Sequence, residues 1–65
     1  MLVLKYQDGN VIGKMFKTKY GYHYKVYMPI NNKLTVVGQS YVYLFDKGIC
    51  MERMISDMKV INETY

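Results

Sequence analysis

Residues 20–28 read Tyr20-Gly21-Tyr22-His23-Tyr24-Lys25-Val26-Tyr27-Met28 and alternate with a period of two. Successive side chains of a β-strand leave on opposite faces, so this is the pattern of a half-buried strand. The even positions Tyr22, Tyr24, Val26 and Met28 are β-formers suited to a core. The odd positions His23, Lys25 and Tyr27 are then expected to face outward, and the flanking segments to supply cover for the even set.

Toward the N-terminus, Met1 to Gln7 sets Leu2, Leu4 and Tyr6 against Val3, Lys5 and Gln7, a first strand. Asp8-Gly9 offers the positive φ of a type I′ hairpin turn. Val11 to Thr18 is β-like but alternates imperfectly, and Gly13 fits either a bulge or a close backbone approach. Its register stays open, and a slip of one residue would exchange the faces of Lys14 and Phe16 with those of Met15 and Lys17. Lys19-Tyr20-Gly21 reads as the next reversal, with Gly21 in a left-handed conformation.

Toward the C-terminus, Pro29 cannot donate to a ladder and Asn31-Asn32 tolerates turn conformations. The central strand is therefore expected to stop at Met28–Pro29, before a loop of about five residues. Leu34-Thr35-Val36-Val37-Gly38-Gln39 is a β-branched run that returns as a fourth strand. From Tyr43 or Leu44 the period becomes 3.6: Leu44, Gly48, Met51, Ile55 and Met58 form a stripe, widened by Met54 and Ile61. Glu52, Arg53, Asp57 and Lys59 occupy the opposite, solvated side. Asp46 is placed as N-cap or in the first turn. Gly48 on the stripe predicts close contact with the sheet, and Asn62 to Tyr65 are expected to fray. The sum is an α+β fold, a four-stranded antiparallel meander (ββββα) with one C-terminal amphipathic helix packed on one face, residues 1–65 forming a single small domain.

Composition supports folding: 51% of the 65 residues are apolar and 22% charged, outside the disordered range. Cys50 has no internal disulfide partner, and one Cys with one His cannot build a metal site, so neither metal nor cofactor is expected and the compartment reads as reducing, hence cytoplasmic. No run approaches the roughly 18 apolar residues needed to span a bilayer, so no membrane role is expected. Charge is uneven within the net +4. Residues 1–45 carry Lys5, Lys14, Lys17, Lys19, Lys25 and Lys33 against Asp8 alone, whereas the remainder sets Lys47, Arg53 and Lys59 against Asp46, Glu52, Asp57 and Glu63. That asymmetry points to a polyanionic partner, nucleic acid above all; its plain structural meaning is solubility and protection of exposed strands from edge-to-edge pairing.

The stretch from Gly21 to Lys59 places Gly21 before an aromatic strand with Tyr22 and Tyr24, a polar turn ending in Lys33, a strand closing on Gly38, then Tyr41 and an amphipathic helix. In this it resembles AP2-like DNA-binding domains and the arm-type DNA-binding domains of tyrosine recombinases, three strands followed by a helix. The resemblance implies a sheet face set into the DNA major groove, with Lys25 and Tyr27 at positions that contact DNA. The relatives favour arginine and tryptophan there, whereas this chain has no Trp and its one Arg lies on the helix.

The residues expected to bind nucleic acid, duplex DNA favoured, are Lys14, Lys17, Lys19, Lys25 and Lys33 at phosphates, with His23 and Tyr27 at bases or sugars. His23 has no sequence neighbour able to orient it as a base, Cys50 no cation one turn away except Lys47, and the helix acids no phosphate loop, so no enzyme activity is expected. Met51, Met54 and Met58 read as adaptable core filling or as a partner-binding surface. The alternative is a small inhibitor or adaptor of phage or mobile-element type, docking on a host protein through the same face or an edge strand. A homodimer through the edge formed by residues 1–7 is the third possibility.

Overall fold

A computed structural model describes all residues, Met1–Tyr65. Four strands, β1 (Leu2–Asp8), β2 (Val11–Thr18), β3 (Gly21–Ile30) and β4 (Lys33–Gln39), form one antiparallel sheet in the order of the chain, and helix α1 (Lys47–Thr64) follows. The expected ββββα meander is the observed fold. Its turns are tighter than the sequence reading has them. Asp8 pairs with Val11, so the first turn is Gly9-Asn10 rather than Asp8-Gly9. Only Gly9 has positive φ, +63°, the pattern of a type II′ turn rather than I′. Asn31 and Asn32 both have positive φ, 52° and 65°, which is the type I′ pattern, and β3 runs on through Pro29 to Ile30 with no five-residue loop. Pro29 is tolerated because β2 pairs with β3 only as far as Tyr27. At Pro29 the strand has a neighbour on one side alone, and its missing donor costs nothing on the other.

The core is Val11, Met15, Tyr24, Val26, Cys50, Met54, Met58 and Ile61. Pairing Gly13 with Val26 and Met15 with Tyr24 settles the open register: Val11, Gly13 and Met15 face the helix, while Ile12, Lys14 and Phe16 face away. Gly13 marks a close approach and not a bulge; the register irregularities fall between Leu2 and Leu4 and between Val26 and Tyr27. A Cβ at Gly13 would lie 2.6 Å from the Met58 sulfur and 2.8 Å from that of Met54. Gly38, opposite Val26 on β4, would place a Cβ 3.1 Å from Cδ1 of Ile61. The row Gly13–Val26–Gly38 is therefore a shallow seat across which the helix lies.

The helix differs from its sequence reading in start and face. It begins at Lys47, with Asp46 as N-cap accepting a hydrogen bond from the Ile49 N–H at 3.1 Å. Its inward stripe is Cys50, Met54, Met58 and Ile61, rotated from the one predicted; Met51 and Ile55 are 38% and 40% exposed. Starting the periodicity at Leu44 caused the error, because Leu44 belongs to an extended bridge with Tyr22. Gly48 is exposed and meets only the Asp46 carboxylate, so Gly13 and Gly38, not Gly48, bring helix and sheet together. Asp57 leaves the predicted solvated side and accepts a hydrogen bond from the Tyr24 hydroxyl. The C-terminal turn is held rather than frayed: Asn62 donates to the Asp8 carbonyl at 3.3 Å and the Tyr65 N–H to the Ile61 carbonyl at 2.9 Å. No helix is long and apolar enough to cross a membrane.

Two substitutions test this packing. Gly13→Val forces a branched side chain against both methionine sulfurs and should lower unfolding free energy by about 1–3 kcal/mol, measured by urea denaturation. An unchanged midpoint would mean that the seat does not exist. Tyr24→Phe leaves the Asp57 carboxylate without its partner beside the core, and should cost about 1–3 kcal/mol in the same assay.

Candidate nucleic-acid interface

The sheet face away from α1 is formed by alternation on each strand, and the registers decide which side chains meet there. Lys5 opposes Lys14, Lys14 opposes Lys25, and Lys25 opposes Gln39. Directly opposed residues of an antiparallel pair share a face with Cβ atoms about 5 Å apart, so three lysines are rooted in a row across β1, β2 and β3. On one side of this row Phe16 and His23 stack, ring centroids 5.1 Å apart at 19°. On the other, Lys14 Nζ lies 5.1 Å from the centre of the Tyr27 ring. The open face thus carries an aromatic row, a lysine row and a second row containing Tyr27, spaced about 6.8 Å along the strands.

No acid shares the face. Asp8 opposes the buried Val11 and lies near Asn62 of the helix, Asp46 caps α1, and Glu52, Asp57 and Glu63 are helix residues. The chain is polarised into a basic sheet surface and a mixed helix surface.

Of the residues predicted from sequence, Lys14, His23, Lys25 and Tyr27 are brought together here. Lys17, Lys19 and Lys33 are not. Lys17 opposes Tyr22 on the helix side, its Nζ 5.6 Å from that ring. Lys19 sits in the β2–β3 turn, 5.1 Å from the Tyr20 ring, and Lys33 opens β4 opposite Ile30 at the far end. Sequence reasoning missed Lys5 and Phe16. The alternation of β1 already set Lys5 against Leu4 and Tyr6, so Lys5 was legible once β1 was paired; Phe16 waited on the β2 register.

Ser40 and Leu44 continue the edge of β3 beyond β4. The Ser40 N–H donates to the Tyr24 carbonyl at 3.1 Å, the Tyr24 N–H to Ser40 Oγ at 3.1 Å, and Leu44 and Tyr22 exchange two backbone hydrogen bonds of 2.7 and 2.8 Å. Gly21, at φ +128°, allows that exchange, since a Cβ there would stand 2.8 Å from the Leu44 carbonyl oxygen. Between these clamps, Tyr43 meets His23 edge-on at 5.7 Å and Tyr20 at 5.7 Å. His23, Ser40, Tyr41, Val42 and Tyr43 line an open depression of about 140 Å³.

Burial chiefly, then the Lys25 charge and the N-terminal ammonium, lower the His23 pKa below 6.5. At neutral pH the ring is uncharged, a stacking surface with one donor and one acceptor. Burial pushes the Cys50 thiol up against a smaller opposing influence of Arg53, which suits a packing group. Burial and then the hydrogen bond to Asp57 raise the Tyr24 hydroxyl well above its usual range.

No family model, characterised protein or solved structure matches the chain.

The His23 shift has a sign that can be checked. The folded state disfavours the imidazolium, so on acidification the unfolded chain binds the proton first and stability falls below pH 6.5. The melting temperature should drop between about pH 7.5 and about pH 5.5, and His23→Phe should flatten that drop. A wild-type profile as flat as the variant's would refute the assignment.

Proposed function

We propose that the protein is a small binding module for nucleic acid, engaging the phosphate backbone through Lys5, Lys14 and Lys25 on the open sheet face. The observation that carries this reading is the cross-strand lysine row. Like charges directly opposed on neighbouring strands destabilise a sheet, and no carboxylate on that face offsets them. Protecting edges from aggregation calls for lysines at the rim, yet Lys14 and Lys25 sit on the two inner strands. A row that costs the fold stability and neutralises nothing within it suits a partner that supplies the anions.

The second reading is docking on a host protein. It is favoured by Tyr41 and Phe45, 89% and 90% exposed, since tyrosine is enriched at binding hot spots. The same lysines would then meet an acidic patch.

Lys25→Glu separates the readings from mere net charge. Glutamate beside Lys14 replaces a repulsive pair by an attractive one, so stability should hold or rise by up to about 1 kcal/mol. Nucleic-acid affinity at about 50 mM salt should fall at least about tenfold, and the slope of log affinity against log salt should lessen by about one. Lys59→Glu, on the exposed helix surface, makes the same charge change and should alter affinity much less. Equal losses from both variants would reduce the effect to overall charge, and absence of binding by the wild type would leave the protein-docking reading.

A further inference from the structure

We infer that the open face takes single-stranded nucleic acid, its bases stacking on the Tyr41–Tyr43 loop and on Tyr27 while its phosphates follow the Lys5–Lys14–Lys25 row. The inference rests on the nucleic-acid reading and narrows it, departing from the duplex expected from sequence. Three observations carry it.

Width comes first. Four strands about 4.8 Å apart span about 14 Å of backbone before side chains are added, whereas the major groove is about 12 Å wide and admits a helix or a two-stranded ribbon. The face is too broad to enter the groove flat. Against the outside of a duplex it would meet only phosphates and leave its aromatic rows unused.

Second, aromatic and cationic groups alternate. A single strand presents charged phosphates and unpaired, stackable bases together, and proteins bind it with basic tracks flanked by aromatic side chains. Here the lysine row has Phe16 and His23 on one side and Tyr27 on the other.

Third, the loop after β4 exposes aromatics that the fold does not require. Tyr41 is 89% exposed and Tyr43 49%, although the backbone on both sides is clamped to β3 by Ser40 and Leu44. The Tyr43 ring is fixed by its contacts with Tyr20 and His23, and a ring already fixed loses little freedom when a ligand stacks on it. Beside them, the depression of about 140 Å³ has the His23 ring and Ser40 in its wall. An unpaired base can enter it directly, whereas a paired one would first have to leave its stack.

The test is equilibrium binding, by fluorescence anisotropy, of a mixed-sequence oligodeoxynucleotide of about 12 residues and of the duplex of the same sequence. The wild type should prefer the single strand by at least about tenfold. Tyr41→Ala, at a side chain too exposed to support the fold, should weaken single-strand binding roughly 5- to 150-fold, the range for one lost stacked base. It should leave duplex binding and the salt slope unchanged, whereas Lys25→Glu should reduce the slope. Duplex bound as tightly as single strand, or Tyr41→Ala without effect on either, overturns the single-strand inference while the nucleic-acid reading stands. Binding of neither at about 50 mM salt overturns both.

Discussion

The contact on which the rest of the molecule depends is the seating of Met54, Met58 and Ile61 across the row Gly13–Val26–Gly38. A domain of this size buries only about 60% of the surface of its unfolded chain, and its apolar burial comes from one layer of side chains between one helix and one sheet face. Glycines at two of the three row positions let the helix come down onto the backbone, and the flexible methionines fill the irregular space around Val26. Cys50 and Met15 extend the same dry layer. Tyr24 ties the helix laterally by reaching Asp57, so one side chain is both core and clamp.

Because one face of the sheet is committed to the helix, the other is free of packing duties, and its composition reflects different demands. The helix side collects the acids, a buried thiol and the methionines. The open side collects lysines from three successive strands, with aromatics in the rows beside them. The same alternation serves both, since exchanging the faces of β2 or β3 would turn Lys14 or Lys25 toward the helix and expose Met15 or Val26. The two surfaces are joined at Gly21, where absence of a side chain lets the Leu44 backbone pair with Tyr22. That pairing leads the chain from sheet edge to helix and presents Tyr41 and Tyr43 beside His23.

Strong periodicity was legible in the sequence and weak periodicity was not. The alternation in β3 and β1 placed His23, Lys25, Tyr27 and Lys5 on their faces, and Asp46 announced itself as a cap. In β2, the apolar Ile12 and Phe16 sit on the open face and glycine sits in the core, so hydrophobicity could not choose the register; the helix supplied the choice by pressing on Gly13. The helix stripe failed for a related reason. Ile49, Met51, Ile55 and Val60 are apolar yet exposed, which widens the apparent apolar arc until its centre cannot be read from spacing alone.

Local sequence carries the number and order of the elements, the approximate positions of the turns and the excess of lysine in the sheet half. Those depend on local conformational preference and on alternation within one segment. Which lysines share a face was settled only by the pairing of the strands. Lys5, Lys14 and Lys25 are far apart along the chain and meet only through two hairpin registers, while Lys17 and Lys19, nearer in sequence to Lys14, are turned away by one step of alternation and by a turn. The tertiary structure also decided that Tyr43 stands against His23, since that contact requires the chain beyond β4 to fold back along β3 by hydrogen bonds between segments that no local pattern links.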